Sequence, residues 1–276
     1  MRLVTLSENT AGKPGLAAEW GLSILVETAE ARILFDTGGS DAAVRNADIL
    51  GIHLTGLDAV VISHGHADHT GGLPSVLART GAIDVIAHPA VWELKYTKRP
   101  YEDRHAYIGI PYRKEFLEAR GARFILNEAP QRLRPNIWTS GEVPQRTDFE
   151  AIEPYFYVKS GDAFLPDPIA DDQALFVKTE AGLVIILGCS HRGLINTIRH
   201  AQDVTGEKRV HTIVGGTHLF PKSQAQQART LDALREIGVE KLGVSHCTGF
   251  AASRMLSDAF GDRFFLNNAG TVCRIA

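Results

Sequence analysis

The chain holds only three cysteines, Cys189, Cys247 and Cys273, among 276 residues. A count so small, and odd, excludes a disulfide framework as the source of stability. Long apolar runs are also missing, and no segment reaches the length needed to span a bilayer. The opening Met1-Arg2-Leu3-Val4-Thr5-Leu6-Ser7-Glu8 has no apolar signal-peptide core and acquires a carboxylate early. These absences predict a cytoplasmic protein with no membrane partner. Nor is there an excess of either charge: 29 Lys and Arg stand against 32 Asp and Glu, a net charge of -3. Bulk electrostatics therefore give no reason to expect nucleic acid as a partner.

Apolar residues make up 44% of the chain, enough for a sizeable core. The length suits one large domain or two small ones, and no low-complexity linker divides it. We therefore read residues 1–276 as a single domain. Leu3–Leu6, Gly21–Glu27 and Arg32–Asp36 are short, apolar and bounded by turn residues, as strands are. Asp41–Leu50 and Gly72–Arg79 read as helices, and Ala82–Ala87 as a strand ending at His88-Pro89. The stretch from about 92 to 120 differs. It mixes Tyr96, Tyr101, Tyr107 and Tyr112 with Lys and Arg, and Pro100 and Pro111 interrupt any long helix. It reads as an insertion, either a solvated excursion or a lid whose rings and cations meet a ligand.

The chemistry concentrates in Ser63-His64-Gly65-His66-Ala67-Asp68-His69, directly after the apolar run Ala59-Val60-Val61-Ile62. Three imidazoles and a carboxylate thus sit in the loop at the carboxyl end of a buried strand. Crowding such groups together without a cation leaves donors, acceptors and a charge to be satisfied. Imidazole and carboxylate are ligands for zinc, and also for manganese or iron.

The second half repeats this logic. The strands Asp172–Lys178 and Gly182–Leu187 lead to Gly188-Cys189-Ser190-His191. Val210–Val214 leads to Gly215-Gly216-Thr217-His218, and Lys241–Val244 to Ser245-His246-Cys247. Leu194–Val204 and Ser223–Ile237 read as helices, and Phe264–Leu266 and Thr271–Ile275 as closing strands. The loops at His64, His191 and His246 would converge if their strands lie side by side with one polarity. Asp36 is expected to brace the ligand loop, and His88 to pack at the surface. Cys189 and Cys247 read either as reactive thiols or as small buried filler, the reading we prefer. Asp171 and Asp172 read as ligands, as supports for ligands or as turn residues.

The block His64-x-His66-x-Asp68-His69, preceded by Leu34-Phe35-Asp36-Thr37-Gly38, resembles the leading signature of the metallo-β-lactamase superfamily. Glu19-Trp20-Gly21-Leu22-Ser23, Asp171-Asp172-Gln173-Ala174-Leu175, Gly188-Cys189-Ser190-His191, Gly215-Gly216-Thr217-His218-Leu219 and Ser245-His246-Cys247-Thr248-Gly249 extend the likeness to a dihydropteroate-synthase-like subgroup. The resemblance implies an α/β fold, a four-layer αββα sandwich. It also implies one or two divalent metal ions, with His64 and His66 on the first, Asp68 and His69 on the second, and His246 completing the second. Superfamily members usually add an aspartate that bridges both ions at the strand end occupied here by Gly188-Cys189-Ser190-His191. No carboxylate stands there. Either His191 completes the first set, which we favour, or Cys189 stands near the bridge.

The function expected is a metal-dependent hydrolase acting on a small, anionic, phosphorylated or ester substrate, with Asp68 and His218 moving protons. One alternative is a transferase joining a pterin-methyl diphosphate to a ribofuranosyl-aminobenzene phosphate. Another is a metal-binding or redox protein without turnover.

Overall fold

The computed structural model describes residues 1–275. Two seven-stranded sheets dominate it. Across the first run Val272–Arg274, Arg2–Ser7, Ser23–Glu27, Arg32–Phe35, Ala59–Val61, Ile83–Ala87 and Ala122–Leu126. Across the second run Phe264–Leu266, Lys241–Ser245, Val210–Gly216, Gly182–Leu187, Ala174–Thr179, Ile137–Thr139 and Gln131–Arg134. Arg32–Phe35 and the three strands beyond it are parallel. So are Gly182–Leu187 and the three strands on its far side. Their carboxyl ends therefore deliver loops to common edges of the two sheets.

Side chains alternate between the two faces of a strand, and the layering follows from that. Ile24 and Val26 point between the sheets, where they meet Val184, Ile186 and Val214. Leu25 points the other way, onto Val44, Ala47, Val76 and Leu77 of the helices Ala42–Ile49 and Leu73–Thr80. On the far side Ile185 and Leu187 pack on Leu194, Ile195 and Ile198 of the helix Leu194–Thr205. Ala252, Leu256 and Phe260 of a further helix, Phe250–Phe260, close that layer. Each fully buried aliphatic side chain contributes about 1.5–3 kcal/mol of transfer free energy. The result is the expected αββα sandwich.

A third, small antiparallel sheet orders Ala163–Pro166, Phe156–Ser160, Lys95–Thr97 and Ala106–Tyr107. The stretch from 92 to 120 thus divides. Its first part pairs with a hairpin some sixty residues later, and Leu117 of the helix Lys114–Glu118 packs into the core of the first sheet. Tyr96 packs edge-on against Tyr107 and Phe164, so these rings hold the small sheet together. Among the described residues, no helix is long and apolar enough to cross a membrane.

Candidate metal centre

Five histidines come from the carboxyl ends of parallel strands. His64 and His66 follow Ala59–Val61, His191 follows Gly182–Leu187, His218 follows Val210–Gly216, and His246 follows Lys241–Ser245. His69 sits in the short helical turn Ala67–Thr70. The rings gather closely: His64 lies 4.5 Å from His66, 4.2 Å from His69 and 4.9 Å from His191, centroid to centroid. His246 is 5.0 Å from His69, and His218 is 4.1 Å from His191. The backbone is forced to achieve this. Asp36, Ser190, His218 and His246 all adopt positive φ, between 47° and 58°. That region is costly for residues with a side chain, and it is held here by the surrounding packing.

The loop is braced from two sides. Asp36, fully buried, accepts hydrogen bonds from the Ser63 backbone N–H and Ser63 Oγ–H at 2.7 Å each, and its Oδ2 lies 2.7 Å from His69 Nδ1. Gly188 makes room for this network, since a Cβ there would lie 2.1 Å from Ser63 Oγ. From the other side Asp171 accepts the Gly65 N–H at 2.7 Å and pairs with the buried Lys95 ammonium at 2.8 Å. Lys95 also reaches Asp167 at 3.0 Å. Burial opposes the Lys95 charge, but Asp171 and Asp167 more than offset it and push its pKa upward. Asp171 is held below the usual carboxylate range, burial working against it and Lys95 for it. Asp172 accepts the Arg192 N–H at 2.9 Å, yet burial and the adjacent Asp171 push it up to about 7. Both aspartates thus act here as supports for the loops. His88, expected at the surface, is buried, and its Nδ1 accepts the Ala90 N–H to cap the turn Pro89–Trp92.

At the centre the polar groups are under-satisfied. Among the described residues, His66 Nε2, both nitrogens of His191 and His246 Nε2 have no hydrogen-bond partner although buried. Unpaired buried polar atoms are rare and costly, and a bound ion is one way to satisfy them. Burial holds His66 down to about 3 and keeps His64 and His191 well below the ordinary histidine value, so all three present neutral, metal-competent rings. His69 departs from them: burial pulls it down, but Asp36 and Asp68 outweigh that and raise it to about 9. Asp68 Oδ2 stands 3.2 Å from His246 Nε2 and 3.8 Å from His69 Nε2. Burial works against its charge, while His69 and His246 hold its carboxyl well below the usual range.

Cys189 is buried directly under the site. Its Sγ is 3.2 Å from His69 Nε2. His64, Cys189 and His191 bring donor atoms within 4.8 Å of one another, and so do His69, Cys189 and His246. Its position at a strand end, two residues before a histidine, is the sequence signal for its place among these donors. Glu153 is a residue that sequence reasoning passed over, its Oε2 lying 3.5 Å from His218 Nε2. No motif surrounds it. The donor set, histidine nitrogens with a carboxylate and a thiol, suits a divalent cation of the zinc type.

Beside the cluster opens a cleft of about 740 Å³. His246, Arg99, Trp20, Phe220 and Phe250 line it. The last three rings are 60%, 71% and 85% exposed, so the cleft offers unpaired aromatic surface next to the histidines. Trp20 lies 5.1 Å from the His246 ring.

The family model of the metallo-beta-lactamase superfamily matches residues 21–246. The chain belongs to that superfamily. The 7,8-dihydropterin-6-methyl-4-(beta-D-ribofuranosyl)-aminobenzene-5'-phosphate synthase of Methanocaldococcus jannaschii is 32% identical, covering 99% of this chain and 96% of its own length. Tm1679, described as a metal-dependent hydrolase of the beta-lactamase superfamily, superposes with a TM-score of 0.86 at 29% identity, covering 100% of this chain and 99% of its own. YhfI of Bacillus subtilis shares the metallo-beta-lactamase fold at a TM-score of 0.60 and 12% identity, with 99% of each chain covered.

Proposed function

We propose that this metallo-beta-lactamase-superfamily chain is a metal-dependent hydrolase of a small anionic substrate, one carrying a phosphate or an activated ester. The observation that carries this reading is the set of buried imidazole nitrogens without partners, converging beside an open cleft. His64, His66, His69, His191 and His246, with Asp68, would hold one or two divalent cations, zinc fitting the donors best. Such cations supply Lewis-acid polarisation of the scissile group and acidify water near neutral pH.

The chain's own residues supply the rest. Asp68 is ionised and its side chain is 24% exposed, so it can take the proton of attacking water at the cleft side. His218, 4.1 Å from His191 and backed by Glu153, is placed to return a proton to the departing group. The Arg99 guanidinium on the cleft wall matches a phosphate or carboxylate. Trp20, Phe220 and Phe250 exclude water and stack on a ring. Steady-state assays of metal-loaded and metal-stripped protein against phosphodiesters, lactones and thioesters test the reading. Metal-stimulated turnover of at least one class is expected, and its absence from all of them would remove it.

One observation favours a second reading. The similarity to the methanogen synthase runs nearly end to end, and the aromatic cleft suits a pterin ring. The transferase would then join a pterin-methyl diphosphate to a ribofuranosyl-aminobenzene phosphate, Arg99 holding the diphosphate. Incubation with both compounds distinguishes the two: a coupled product selects the transferase, and release of free pterin alcohol alone selects the hydrolase.

A further inference from the structure

We propose that the Cys189 thiolate is a shared ligand that ties two cations together in this site. Cys189 is buried at the carboxyl end of Gly182–Leu187, and its Sγ belongs to three donor groups at once, two of them built on histidine pairs. With His64 and His191 it forms one, and with His69 and His246 the other, every donor atom in each lying within 4.8 Å of its fellows. No other side chain joins those two groups, among the described residues. A thiol whose sulfur stands between two imidazole pairs, with nitrogens of His191 and His246 left unpartnered, is placed to bridge.

Charge supports the same role. Two dications held close together repel, and neutral imidazoles do nothing to relieve that. An anionic atom between them does. A thiol ligates as the thiolate, so binding would release its proton to solvent as the sulfur takes the cations. Such a role requires that the site hold cations, but it is independent of which bond the enzyme breaks.

Cys247 is the competing thiol. It shares the third donor group with Cys189 and His218, and its Sγ accepts the His218 backbone N–H at 3.3 Å. A thiol engaged in this way, at the end of Lys241–Ser245 and two strands away from Gly182–Leu187, is the natural control.

The test is titration of metal-stripped protein with cobalt(II), read by absorbance. Wild type should take up two equivalents and show a sulfur-to-cobalt charge-transfer band in the near ultraviolet. Cys189→Ser should lose the band and bind a single equivalent tightly, whereas Cys247→Ser should keep both band and stoichiometry. A band that survives in Cys189→Ser, or one lost only in Cys247→Ser, would overturn the proposal, as would uptake of one equivalent by wild type. Should Cys189→Ser fail to fold, X-ray absorption of zinc-loaded wild type decides. Sulfur at about 2.3 Å in the average zinc shell, with a zinc–zinc vector, is expected, and a shell of nitrogen and oxygen alone contradicts it. Turnover in a protein lacking sulfur ligation would leave the hydrolase reading intact and remove only this one.

Discussion

Asp36 Oδ2 lies 2.7 Å from His69 Nδ1, and both side chains are wholly buried. The same carboxylate receives two hydrogen bonds from Ser63, so one residue fixes both the start and the end of the histidine loop. Asp36→Asn keeps the volume but turns one acceptor into a donor facing donors. A loss of about 2–3 kcal/mol of stability is expected from denaturant unfolding. Zinc affinity should fall about 10–100-fold by calorimetric titration, as is usual when the partner of a ligating histidine is removed. Unchanged affinity would mean that His69 is not a ligand.

Lys95 offers a sharper stability test. It is completely buried between Asp167 and Asp171, and Asp171 in turn holds the Gly65 N–H. Lys95→Met strips the compensating charge from two buried carboxylates, which costs about 3–5 kcal/mol. The variant should unfold at lower urea concentration with an unchanged slope, whereas a loss under about 1 kcal/mol would show that the pair is solvated.

The glycine between His64 and His66 has a steric reason to be there. A Cβ on Gly65 would lie 2.5 Å from the Val91 carbonyl oxygen and 3.0 Å from its Cα, both backbone atoms that cannot rotate aside. Gly65→Ala should therefore destabilise the protein by about 1–3 kcal/mol and reduce zinc uptake. Wild-type stoichiometry at wild-type stability would contradict this packing.

The metal-free protein should be acid-sensitive through His66. Burial lowers its folded pKa to about 3, against about 6.5 in the unfolded chain. The unfolded chain therefore binds the proton first, and stability is lost as pH falls from about 6.5 toward 3. At about pH 5 this one residue costs about 2 kcal/mol relative to pH 8. His66→Gln should make the metal-free protein less sensitive to acid by that amount in urea unfolding across the range. An identical pH slope in variant and wild type would show that His66 is accessible and unperturbed.

Much of this was legible in the chain. The strands Ser23–Glu27 and Gly182–Leu187 carry continuous apolar runs, as buried strands do. The loops ending in histidine announced which sheet edge would matter. What stayed hidden depended on distant pairing. Phe156–Ser160 joins Lys95–Thr97 across some sixty residues, and nothing local in either segment encodes the partner. Lys95 looks like a surface residue in sequence because its neutralising aspartates lie more than seventy residues away. His88 was misplaced because its capping bond to Ala90 lies inside a turn that Pro89 appeared only to break. The approach of Cys189 to His69 was hidden as well, because the two lie 120 residues apart.

The central claim is that this cluster holds cations, and anomalous diffraction at the zinc edge from crystals of zinc-loaded protein tests it most directly. Anomalous density is expected among His64, His66 and His191, with any second cation beside His69, Asp68 and His246. A fully loaded crystal with no density inside that ring of histidines would contradict it.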